Sequence, residues 1–67
     1  MINYAEKIRE YRERKLLTQI DLAKILGVGI VSVSRWESGK HEPTMAIKRK
    51  LRELFIEAGM KIDYHNN

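Results

Sequence analysis

The stretch Gln19-Ile-Asp-Leu-Ala-Lys-Ile-Leu-Gly-Val-Gly-Ile-Val-Ser-Val-Ser-Arg-Trp-Glu-Ser38 decides how this chain folds. Two helical runs meet in it at a glycine. Leu22, Ala23, Ile25 and Leu26 supply the apolar face of the first run. Gly27 ends that run, because glycine enters the left-handed conformation at little steric cost. The second run begins around Gly29 or Ile30 and reaches about Glu37, with Ser38 and Gly39 beyond it.

Two short helices crossing at a steep angle across a tight turn make three demands on sequence. A small residue is needed where the second helix crosses the first, and Ala23 supplies it. A residue tolerant of positive φ is needed in the turn, and Gly27 follows one helical turn later. Apolar anchors are needed between the helices, and Leu22, Leu26, Val28, Val33 and Trp36 stand where they must. Each match alone is weak, since alanine and glycine are common. Together and in register they predict a helix-turn-helix over residues 19–38, in preference to an ordinary helical hairpin with no role at DNA.

Outward from this core the pattern stays helical. Asn3 with Glu6 has the form of a capping box, and Tyr4, Ala5, Ile8 and Tyr11 recur at helical spacing, so a first helix runs to about Lys15 or Leu16. Thr18 with Asp21 repeats the capping logic ahead of Gln19. Lys40 to Pro43 read as a polar loop, and Thr44 caps a last helix. Its stripe is Ile47, Leu51, Leu54, Phe55 and Ala58, its solvated face is Lys48, Arg49, Lys50, Arg52 and Glu53, and its stop is Gly59. The expected architecture is all-α, a compact domain of four to five helices spanning 1–67. Residues 60–67 form a tail or a dimerisation segment, with a short strand-like alternation from Met60 to Tyr64.

Composition narrows the function classes. The chain has 67 residues, room for one domain with a small core. It has no cysteine, which removes disulfides and thiolate metal sites. His41 and His65 are too few and too far apart for a metal centre, and no cofactor motif is present. No membrane-length apolar run and no leader pattern occur, so a cytoplasmic location is expected. The formal charge of +4 favours polyanionic partners. An enzyme is not expected: Ser32 and Ser34 lack a histidine partner, and Gly27-Val28-Gly29 is only a fragment of a phosphate loop.

The sequence resembles the Cro/CI-type (XRE-like) repressor family. The residues that carry the resemblance are Ile8-Arg9-Glu10-Tyr11-Arg12, Leu17-Thr18-Gln19, Asp21-Leu22-Ala23, Leu26-Gly27-Val28, and Val33-Ser34-Arg35-Trp36-Glu37-Ser38-Gly39-Lys40 followed by Pro43. They span about residues 4–58. The resemblance implies a lambda-repressor-like domain that binds double-stranded operator DNA, usually palindromic, as a homodimer. It also implies that Gln19 contacts a phosphate and supports the recognition helix, and that Lys40, with His41 and Thr44, lies near the DNA backbone. The helix near 29–37 enters the major groove with Gly29, Ile30, Val31, Ser32, Ser34 and Arg35 toward the bases. Arg12 and Glu37 match the family's internal ion pair.

This chain departs from the family pattern in two places. Gly29, Ile30 and Val31 occupy positions that are usually polar and cannot make bidentate hydrogen bonds to bases. Ile30 and Val31 either contact thymine methyls, leaving polar readout to Ser32, Ser34 and Arg35, or they face a protein partner or give weak base selectivity, with core packing a third alternative for one of the two. A protein partner on this face makes the chain a small protein-binding modulator, such as an anti-repressor or an antitoxin-like partner, on the same fold. Arg35 is the candidate for guanine, with a phosphate clamp as its alternative. Leu16 stands where the family often has glycine, which predicts that the first helix runs on or turns differently there, since leucine disfavours positive φ by about 1 kcal/mol or more.

Overall fold

The protein, here a computed structural model, is described for residues 3–62. Four helices follow one another among them: α1 (Tyr4–Lys15), α2 (Gln19–Leu26), α3 (Ile30–Glu37) and α4 (Met45–Glu57). Three of the four start on a side-chain cap anticipated in the sequence. Asn3 accepts the amide of Glu6, Thr18 that of Asp21, and Thr44 that of Ile47. At Thr18 the box is complete, because the Asp21 carboxylate accepts the Thr18 backbone N–H at 3.0 Å. That return bond holds the Asp21 carboxyl below its ordinary range.

The helix ends repeat one device. Each is followed by a residue at positive φ: Leu16, Gly27, Gly39 and Gly59. The next amide then folds back five residues, Leu17 to Arg12, Val28 to Ala23, Lys40 to Arg35 and Met60 to Phe55. This is the Schellman arrangement, which satisfies the last carbonyls of a helix. Leu16 makes the turn at φ 58° and ψ 46° without being glycine. The first helix therefore ends at Lys15, within the expected bounds, and it neither runs on nor turns by another geometry: leucine bears the cost of the left-handed backbone.

The core takes Ile8 and Tyr11 from α1, Leu22, Ala23 and Leu26 from α2, Val33 and Trp36 from α3, and Leu51 and Phe55 from α4. Tyr11 and Phe55 meet as a tilted aromatic pair, their ring centroids 6.0 Å apart. α1 and α2 both pack against α3, and α4 closes the domain against α1. Two readings are corrected. Ile25 is half exposed, because at about 100° per residue it falls beside the line through Leu22 and Leu26. Met60 is buried, since the turn at Gly59 folds it back onto the core, where Ile62 also packs. No strand forms among the described residues; 63–67, including Asp63, Tyr64 and His65, lie outside them.

Candidate nucleic-acid interface

α3 is amphipathic in a way that splits its residues by task. Val33 and Trp36 are buried against α1 and α2, whereas Ile30, Val31, Ser34 and Arg35 face outward and Ser32 is half-buried. Ile30 is 42% and Val31 59% exposed, so core packing does not account for either. Gly29 is the N-cap and makes no side-chain cap hydrogen bond, although the Ser32 amide donates to its carbonyl at 3.1 Å. A Cβ added at Gly29 would meet nothing within 4 Å. The protein's own packing thus does not require glycine there.

The far end of α3 is locked. Glu37 is the buried charged residue among those described. Its carboxylate accepts Arg12 Nε at 2.6 Å and Arg12 Nη2 at 2.9 Å, a two-pronged contact, and Gln19 Nε2 at 3.1 Å. Its backbone carbonyl accepts Arg9 Nη2 at 2.8 Å. Burial pushes the Glu37 carboxyl up, but the Arg12 and Gln19 hydrogen bonds and the charges of Arg12 and Arg9 hold it below the usual range. The Arg12 guanidinium is in turn raised by its hydrogen bond to Glu37. Arg12 Nη1 also donates to Leu17 O at 3.0 Å, so this side chain ties α1, the first turn and α3 together.

Of the remaining expected residues, Lys40, His41 and Thr44 follow α3 and Gln19 opens α2. Lys40 and His41 are exposed in the loop, their amides donating to Arg35 O at 3.1 and 3.4 Å. His41 also lines an open cleft of about 360 Å³ with Asn3, Tyr4, Ala5, Trp36, Gly39 and Glu42. The Thr44 hydroxyl is occupied as the cap of α4, at 3.4 Å from Ile47 N. Gln19, expected to contact a phosphate and support the recognition helix, donates one amide N–H to Glu37 at the end of α3 and is half-buried. Arg9 was not among the expected site residues. Its signal was its position three residues before Arg12, hence on the same face of α1.

Among the described residues no helix is long and apolar enough to cross a membrane. The helix-turn-helix family profile matches residues 8–55. An uncharacterized HTH-type transcriptional regulator of Methanocaldococcus jannaschii is 39% identical over 57 residues, covering 85% of this chain and 82% of its own. The HTH-type transcriptional activator BcrR of Enterococcus faecalis is 37% identical over 54 residues, covering 81% of this chain and 26% of its own. This chain therefore spans most of the first relative and about a quarter of the second. No solved structure matches it significantly.

Proposed function

The chain belongs to the helix-turn-helix family, in its XRE-like branch of DNA-binding transcription regulators, and from that premise we propose that it is a repressor-type regulator reading operator DNA through α3. The observation that carries this reading is the division of α3. One face projects Ile30, Val31, Ser34 and Arg35 beyond the N-cap Gly29, while its C-terminal end is fixed by Glu37. A reading helix needs both, an exposed end that fits the groove and an anchored end that sets its angle.

In this reading Ile30 and Val31 contact thymine methyls, Arg35 pairs with guanine O6 and N7, and Ser32 and Ser34 make the shorter polar contacts. Gln19, Lys40, His41 and Thr44 set the register along the phosphates. Two copies on adjacent major grooves of a palindromic site supply the affinity that one small domain lacks, and the protein acts in the cytoplasm, where its DNA is. Occupancy of a promoter-overlapping operator then blocks transcription.

A second reading is favoured by the exposed pair Ile30 and Val31, which also suits a protein surface: a modulator that binds another regulator through α3. Selection of bound duplexes from a random pool, followed by titration at two salt concentrations, separates the two. Enrichment of a palindromic consensus with a steep salt dependence supports the operator reading. No enrichment, together with a regulator that α3 substitutions release, supports the modulator. A promoter-reporter assay gives the sign of regulation.

A further inference from the structure

Arg9 has no part in the contacts proposed so far, yet its setting differs sharply from that of Arg12. Arg12 is 19% exposed and engages all three of its nitrogens, two on Glu37 and one on Leu17 O. Arg9 is 48% exposed and makes one short bond, to the Glu37 carbonyl, while its Nε lies 4.0 Å from Glu37 Oε1. Gln19 Nε2 reaches that same Oε1 at 3.1 Å. The Arg9 guanidinium and the Gln19 amide thus both approach one carboxylate oxygen. Arg12 cancels the charge of Glu37, so the local surplus is a single positive charge, and it resides on the exposed Arg9.

We infer that Arg9 and Gln19 together form a clamp for one backbone phosphate of duplex DNA, with Glu37 as the positioning residue that holds both. A phosphodiester offers two anionic oxygens. Arg9 retains unused N–H donors in its planar fork, and Gln19 retains a second amide N–H. Because both side chains converge on one oxygen, a single phosphate can take a donor from each. The inference rests on the DNA-binding reading and adds to it a contact on α1, outside the helix-turn-helix. The competing role for Arg9 is purely structural, a cation capping the carbonyl end of α3. The two roles differ in what salt does.

The test is binding of the selected duplex by wild type, Arg9→Gln and Arg9→Lys over a range of salt concentrations. The clamp predicts that R9Q weakens binding by a similar factor on every sequence and lowers the slope of log K against log salt by about 0.9, the loss of one phosphate contact. R9K keeps the slope. An unchanged slope in a folded R9Q overturns the clamp and leaves the DNA-binding reading standing; no duplex binding by wild type overturns both. A measurement on wild type alone covers the case of an unstable R9Q. The Arg9 Nε–H and Gln19 side-chain amide resonances shift on adding duplex, and one methylphosphonate substitution removes both shifts together. Responses to different phosphates, or none, overturn the clamp.

Discussion

Arg12 and Glu37 face each other across α1 and α3 in a forked contact, Nε to Oε2 at 2.6 Å and Nη2 to Oε1 at 2.9 Å, with the glutamate 6% exposed. Removing Arg12 leaves the buried carboxylate with only the Gln19 amide and the more distant Arg9, and breaking a buried pair costs up to about 3–5 kcal/mol. Domains of this size hold only about 0.05–0.15 kcal/mol per residue. Arg12→Ala is therefore expected to remove a large part of the stability at 25 °C, whereas the paired replacement Arg12→Met with Glu37→Met loses much less. Urea titrations of the single and double variants check this. An R12A protein with wild-type stability would show that the fork is not what fixes α1 to α3.

The same pair sets an acid limit. Glu37 titrates below its ordinary range in the folded protein, so the stability it contributes is present above the unfolded-state value of about 4.3 and is lost as pH falls through the lower folded value. Thermal midpoints of wild type are expected to be level from neutral pH to about 5 and to fall below that. Glu37→Gln removes this source of the slope, and its midpoint, lower at neutral pH, declines less on acidification. Asp21, also held low, adds a smaller contribution of the same sign through its bond to Thr18. Parallel curves for wild type and E37Q would contradict the assignment.

Leu16 offers a gain in stability. Its backbone is left-handed at φ 58° and its side chain is 90% exposed, so glycine relieves strain and removes no packing. Left-handed backbone costs a leucine roughly 1–2 kcal/mol, offset in part by the larger unfolded-state entropy of glycine. Leu16→Gly is expected to stabilise by roughly 0.5–1 kcal/mol, a rise of a few degrees in Tm. Leu16→Ala keeps the penalty and is expected to leave Tm nearly unchanged. Differential scanning calorimetry of the two variants decides it.

What the sequence made legible was local. Caps at Asn3, Thr18 and Thr44 and stops at Gly27 and Gly59 depend on a few neighbouring residues, and all stand where expected. Ile25 was misread because an eight-residue helix has too few turns to centre its apolar face. Met60 looked like the start of a strand because nothing within its own segment shows that Gly59 turns it inward. The Arg12–Glu37 pair was legible only through family resemblance. The support that Gln19 gives α3 was legible only through the same resemblance. The Arg9 bond to the Glu37 carbonyl was not legible, since it joins residues 28 positions apart and depends on how α1 lies against the end of α3.

Ile30 and Val31 give the sharpest test of base reading. Both are exposed at the projecting end of α3, and neither can hydrogen-bond a base through its side chain. If they read thymine, the atom group they read is the C5 methyl, which deoxyuridine lacks and which leaves pairing unchanged. Losing one buried methyl costs about 0.8 kcal/mol, close to a fourfold drop in affinity. Replacing single thymines of the selected duplex by deoxyuridine is therefore expected to weaken wild type about fourfold at one or two positions in each half-site. Ile30→Ala and Val31→Ala should each bind more weakly and become indifferent to deoxyuridine at one of those positions. Equal sensitivity of wild type and both variants at every thymine would move these side chains away from the bases, and the exposed apolar pair would then belong to a protein contact.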